Sequence, residues 1–435
     1  MPFIKTLQRR CTTALAAIIL VYSLTSNIAP AATTTQIQQD TDVFDDAVSR
    51  FESGDYVGAL IQLKNVLQQD PKNLPARILI GRTYLRIGDA EAADKELRWA
   101  RSLGADEELI ILPMTSALLM NRMFDKMLSN RIGSKWSPSV QAELLTLHGQ
   151  AYTALHKFSQ AEQSFERALT LIPQNMNALS GFARLYLAQG QFENALEAIQ
   201  QALAQTPNDA GNLYIKGEIR RRSDELEKAK VSYNAALAAN PLHVRSLYGR
   251  ASVSIALGKY DSALADIDKV NEIRPPHMYS EFIRARILLH LNKNLEHKVA
   301  LKNAYTLMRG YDRKGLSRNL QLLYLAGLIS YALNNHQDAY NYLSEYVAKK
   351  PFNSNAQTVL ASILIAQNKV KEAIEQLTTA RAVAPDNPHI LRLLGMAYVK
   401  IGDFRRAATT FENAITKTAK ASSLHSLLAM SKIGR

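Results

Sequence analysis

Histidine is the side chain best suited to bind a metal or move a proton near neutral pH. Two pairs stand at suggestive intervals, His148 with His156 and His290 with His297. Separations of eight and seven residues bring each pair to one side of a helix or helical hairpin. Neither pair has a carboxylate at i+3 or i+4 to complete a coordination set, so scattered polar histidines are expected and no metal site is predicted. Gly133-Ser134-Lys135 lacks the rest of a phosphate-binding loop and reads as a turn. There is no HExxH, no CxxC and no nucleophile elbow. The sequence therefore predicts no catalytic residue, no cofactor and no enzyme.

Recognition by surface side chains remains, and it depends on the elements that carry them. Alanine recurs at Ala59, Ala93, Ala161, Ala195, Ala229, Ala263, Ala339, Ala373 and Ala407, mostly at intervals of 34 or its double. Pro71, Pro173, Pro207, Pro241 and Pro275 keep the same interval, as do Pro351 and Pro385. Within residues 176–209, Leu179, Phe182, Ala183 and Tyr186 follow helical spacing, and Gly190 opens a turn. Phe192, Ala195, Ile199 and Ala202 then continue on one face of a second helix that Pro207 ends. Ala183 and Ala195 fall where the two helices cross, so a large side chain there would push the backbones apart. The same register starts units near 40, 74, 108, 142, 176, 210, 244, 278, 320, 354 and 388. Its first crossing position holds Ala47, Gly81, Gly149, Ala183, Gly217, Ala251, Ala285, Gly327, Ala361 and Gly395, all small. Two units depart from it. Thr115 and Met127 replace small residues in 108–141, while 278–319 has His297 for Ala and about eight extra residues around Tyr311 to Arg318.

A period of 34 with small residues, an aromatic and a closing proline resembles the tetratricopeptide repeat, in which each unit is a helical hairpin stacked on the next. The resemblance implies an all-α superhelical solenoid of about eleven helix-turn-helix repeats. The array would run over 43–421, with 422–435 as a capping helix and tail, because the last hairpin otherwise leaves an apolar face in water. In that family the first helix of each repeat lines the inner wall, with positions 2, 5, 9, 12 and 13 pointing into the groove. Those positions here hold Arg184, Tyr214, Arg221, Arg222, Arg245, Tyr248, Tyr279, Phe282, Arg286 and Tyr324, with Arg82 and Arg86 nearer the start. Guanidinium groups pair with carboxylates and flat rings stack on sugars or apolar peptide side chains. The expected ligand is accordingly anionic.

At the amino terminus Lys5, Arg9 and Arg10 precede an apolar run from about Ala14 to Leu24, and Ala29-Pro30-Ala31 supplies small residues for a signal peptidase. Residues 1–31 read as a secretory signal of the Sec type, with cleavage near Ala31, a polar segment 32–42 following, and retention as an anchor the alternative. The apolar run is too short to span a bilayer comfortably. Export would place the protein in the periplasm, outside the membrane once the signal is cleaved. The only cysteine, Cys11, lies before the run, so the processed chain has neither disulfide nor thiol chemistry. The formal charge of +13 falls by Lys5, Arg9 and Arg10 to +10, a field that steers anions. Export argues against nucleic acid and for acidic polysaccharide, lipid headgroups or an acidic protein segment.

Residues 43–130 carry a narrower likeness. Ala59 to Asn65, Asp70-Pro71, Ala76-Arg77, Gly81 to Leu85, Gly88-Asp89, Ala92 to Leu97 and Leu103 to Asp106 resemble the periplasmic repeat proteins of PEP-CTERM/exosortase exopolysaccharide systems. This likeness implies a scaffold assembling an envelope complex for exopolysaccharide synthesis or export. Direct binding of an acidic polysaccharide in the groove is one alternative. Adaptor work between proteins of outer-membrane, pilus or secretion machinery is another.

Overall fold

A computed structural model describes residues 31–129, 132–417 and 422–433. The expected signal, with Cys11, lies outside the described residues up to Ala31. The chain forms two units, Met1–Glu225 and Leu226–Arg435. All regular structure among the described residues is helical. The first unit contains α1 (Ala31–Ser53), α2 (Tyr56–Gln69), α3 (Leu74–Ile87), α4 (Ala90–Ser102), α5 (Glu107–Met120) and α6 (Phe124–Leu128). It continues through α7 (Pro138–Ala154), α8 (Phe158–Leu171), α9 (Met176–Gln189), α10 (Phe192–Gln205) and α11 (Ala210–Arg222). The second unit begins with α12 (Leu226–Ala239), α13 (Val244–Ala256), α14 (Tyr260–Ile273), α15 (Met278–His290), α16 (Asn294–Arg309) and α17 (Arg313–Arg318). It ends with α18 (Leu320–Ala332), α19 (His336–Lys349), α20 (Ser354–Ala366), α21 (Val370–Val383), α22 (Pro388–Lys400), α23 (Phe404–Thr416) and α24 (Ser422–Ile433).

Local chemistry punctuates each hairpin in the same way. Asn73, Asn175, Asp209, Asn353 and Asn387 cap first helices by accepting a backbone N–H from inside the first turn. The residue that turns the chain into the second helix is left-handed in every repeat: Gly54, Gly88, Gly190, Gly258 and Gly402 where there is no Cβ, and Arg122, His156, Asp224, Asn292, Asn334 and Asn368 elsewhere. His156 thus occupies a turn position at φ 57°.

Packing within each unit rests on small residues beneath large ones. All nine periodic alanines are fully buried. Four residues after each comes a large apolar side chain, Leu63, Leu97, Phe165, Ile199, Tyr233, Ile267, Leu343, Leu377 or Phe411, and these too are fully buried. Their neighbours set how large each can be. A Cβ added to Gly149 or to Gly181 would fall inside 3.0 Å of the Phe165 ring, and one on Gly249 would do the same to Tyr233. Where the knob is aliphatic, the place that Gly181 and Gly249 hold in the following hairpin is filled instead. Ile215 follows Ile199, Ile283 follows Ile267, Val359 follows Leu343 and Leu393 follows Leu377. An aromatic knob at Phe165 or Tyr233 thus goes with glycine in the following hairpin and these aliphatic knobs with a larger residue, as dense packing requires.

An ion pair between α3 and α4 is buried in the first unit. Arg77 on α3 is 4% exposed at its side chain, and its Nη1 donates to Glu96 Oε2 of α4 at 2.5 Å. Its Nε donates to the Pro71 carbonyl, and the guanidinium lies 3.2 Å from the centroid of the Trp99 ring.

The two irregular units keep buried cores. Thr115 and Met127 are fully buried, and α6 is only five residues long. In the second unit His297 Nδ1–H donates to the Ala285 carbonyl at 2.8 Å, in place of the missing alanine contact. The extra residues form α17, whose Leu316 joins a core that includes Leu301, Met308 and Leu325. At the end of the chain, α24 places Leu424 in a core shared with α19 to α23.

His148 faces the short α6 from α7. It donates to the Met127 carbonyl, and its Nε2 is buried without a hydrogen-bond partner. Burial, and less strongly Arg167, holds its pKa below the ordinary histidine value. The folded state thus favours the neutral ring, so its stability is full above about pH 6.5 and declines as pH falls below that. We expect the thermal midpoint to fall on acidification and the decline to be smaller in His148→Gln, which keeps a donor for Met127. An identical decline would assign the acid sensitivity to His277 or His389, whose pKa values burial also lowers.

Candidate functional site

In the first unit the groove residues read from the sequence are dispersed. Arg82 is half-buried with its guanidinium 5.9 Å from the Phe51 ring centroid, and burial lowers its pKa. Arg86 and Arg184 are exposed, and Tyr214 is half-buried. Arg221 forms a two-point ion pair with Glu218, with Nη2 at 2.8 Å and Nε at 3.3 Å, so its charge is answered within α11. Arg222 beside it is exposed.

The second unit gathers its residues. Tyr248 on α13 and Tyr279 on α15 place their ring centroids 5.3 Å apart. His277, the N-cap of α15, completes the group at 6.1 Å from Tyr248 and 6.4 Å from Tyr279. His277 is fixed by a reciprocal capping box: its Nδ1 accepts the Ser280 backbone N–H, and Ser280 Oγ accepts the His277 N–H. With Nδ1 an acceptor, the ring proton sits on Nε2 and is donated to Tyr248 Oη at 3.0 Å. Burial raises the Tyr248 pKa to about 12 and lowers that of His277. The cluster is therefore a neutral platform at physiological pH, with Tyr279 still 48% exposed. Exposed Arg245 lies one helical turn before Tyr248, and exposed Arg274 sits close enough to bias His277.

A second ring pair stands further along the same unit. Tyr324 of α18 stacks on Tyr346 of α19 at 4.8 Å, and Asn353 donates to Tyr346 Oη at 3.0 Å. Burial raises the Tyr324 pKa against the opposing influence of exposed Arg286. Phe282 departs from the expected groove. It is 7% exposed and belongs to the core with Met278, Leu301 and Met308, because a ring with no hydroxyl has nothing to keep at the water boundary.

His277 and Tyr346 are the members that the sequence reading omitted. The available signal for His277 was its place immediately before a first helix, where most other repeats have Asn or Asp. Tyr346 lies on a second helix and had no such signal. Of the histidines considered for metal, His290 stacks on Tyr260 at 4.6 Å, and among the described residues no group of three metal-ligating side chains converges. Ser134 and Lys135 form the expected turn.

Comparison with family models matches the tetratricopeptide repeat at residues 50–108, 152–214, 330–395 and 364–430, and a second tetratricopeptide-repeat model at 214–277. The unmatched stretches between these contain the units with α6 and α17. Comparison with curated proteins gives no match. Solved structures with similar coordinates include the anaphase-promoting-complex hetero-tetramer Cut9–Hcn1, at 13% identity, 90% of this chain, 96% of that one and a TM-score of 0.45. Yeast Tom70 gives 15%, 92%, 96% and 0.42, and a tetratricopeptide repeat protein from Parabacteroides merdae gives 18%, 67%, 99% and 0.35.

Proposed function

Because the chain belongs to the tetratricopeptide-repeat family, whose stacked hairpins bind protein partners, we propose that it is a non-catalytic scaffold of the cell envelope that holds an extended acidic protein segment. The observation that carries this reading is the neutral Tyr248–His277–Tyr279 platform with Arg245 one turn away. Flat rings fixed by hydrogen bonds give contact area at small entropic cost, and a flanking guanidinium supplies a partner for a carboxylate. Export by residues 1–31 would deliver the scaffold to the periplasm. The likeness of residues 43–130 to exopolysaccharide-system proteins supports a role in assembling that machinery.

A second reading is favoured by the same rings, because tyrosines also stack on sugar faces: an acidic polysaccharide would then occupy the platform itself. Two probes separate the readings, a labelled Asp/Glu-rich peptide bearing Leu and Tyr, followed by anisotropy, and retardation in gels containing alginate or a neutral glucan. The scaffold reading expects peptide binding that weakens with salt, and a loss of about tenfold in affinity for either Arg245→Ala or Tyr279→Ala. Retardation by alginate without peptide binding would transfer the site to polysaccharide. Peptide affinity untouched by both substitutions would refute the platform as the site.

A further inference from the structure

Helix α16 (Asn294–Arg309) buries Ala300, Leu301, Ala304 and Met308 along one side. At about 100° per residue, the opposite arc carries Leu295, Lys298, Val299, Lys302, Thr306 and Arg309. All six are exposed; Leu295 is 78% and Val299 52% accessible. No ion pair involves Lys298, Lys302 or Arg309 among the described residues, and the nearby exposed cations Lys293, Lys314 and Arg318 are likewise unpaired. The unit 278–319 has nine Lys or Arg against three Asp or Glu, a net of +6 within the chain's +13. Glu296 lies about 100° away from Leu295, at the edge of the arc.

The stack itself does not require this composition. One repeat earlier, the places corresponding to Leu295, Lys302 and Thr306 are held on α14 by Asp261, Asp268 and Glu272. Asp268 is paired with Arg284 and Glu272 with Lys269, so two of these acids are already answered by their own cations. Solvation would be served by the α14 pattern, whereas α16 leaves two aliphatic side chains in water among three free positive charges.

We infer that α16 docks lengthwise on an anionic lipid surface. Leu295 and Val299 enter the boundary between headgroups and acyl chains, while Lys298, Lys302 and Arg309 lay their stems along it and reach lipid phosphates. A side chain that is 78% exposed, as Leu295 is, projects into solvent. A peptide needs walls to bury its apolar side chains, whereas a membrane surface accepts a ridge. Charge complementarity selects anionic over neutral lipid.

The test is co-sedimentation of the full chain with mixed phosphatidylglycerol/phosphatidylcholine vesicles and with pure phosphatidylcholine vesicles, helicity being checked by circular dichroism. The amino-terminal apolar run is common to every protein compared, so differences read α16. K298Q/K302Q/R309Q is expected to lower partition onto the anionic vesicles about a hundredfold, and L295S/V299S about tenfold. Equal partition of the wild type and the triple variant would overturn the inference, as would no preference for phosphatidylglycerol. Vesicle binding that survives the triple substitution while binding of a Glu/Leu amphipathic peptide is lost would replace the membrane with an acidic protein helix.

Discussion

Gly181→Ile is expected to destabilise the first unit by about 3 kcal/mol, at the upper end of overpacking costs. The Phe165 ring is fully buried, and even a Cβ on Gly181 would fall inside 3.0 Å of it, as would one on Gly149. The ring therefore cannot yield to one side without striking the other. Transplanting the neighbouring set should rescue the variant: Gly149→Ala, Gly181→Ile and Phe165→Ile together reproduce Ala183, Ile215 and Ile199. We expect this triple variant to come within about 2 kcal/mol of wild type. The remainder is a shape penalty and the lost ring contact with Phe182, now 5.3 Å away. Urea unfolding followed by circular dichroism measures both. A triple variant no more stable than Gly181→Ile would show that knob and socket volumes are not coupled.

Glu96→Ala is expected to cost about 3–5 kcal/mol, because it leaves the Arg77 guanidinium without its counter-charge at 4% side-chain exposure. Trp99 and the Pro71 carbonyl still contact that group, but neither supplies a negative charge. Replacing both members, as Arg77→Met with Glu96→Leu, should restore much of the loss, since apolar side chains of similar volume avoid desolvating two ions. Denaturant melts of Arg77→Met, Glu96→Leu and the double variant complete the cycle. Additive losses would mean that the pair contributes independently of its ionic contact, contrary to expectation.

Both predictions concern contacts that the period of 34 did not reveal. The repeat register marked Gly149 and Ala161, but Phe165, one turn after Ala161, was not singled out. That Gly181 of the following hairpin completes the socket emerges only when successive hairpins are in contact. The Arg77–Glu96 pair is similarly hidden, since 19 residues and a turn separate two charged side chains of ordinary appearance. Tyr248 and Tyr279 were readable as groove positions, yet the residue that locks them together is His277, chosen by a helix cap. Arg221 was readable too, but Glu218 one turn earlier on the same helix answers its charge.

By itself, the sequence determined the repeat length, the helix pairing within each hairpin and the small residues at the crossings. Those features arise from contacts between residues near in sequence, so a fixed period writes them out directly. Only the tertiary structure decided that Phe282 turns into the core, that two rings and a histidine form one platform, and that α16 presents an unpaired basic and apolar ridge. Such outcomes depend on which side chains meet across helices and how much water each retains. Distances and burial of that kind are set by stacking, which sequence spacing does not encode.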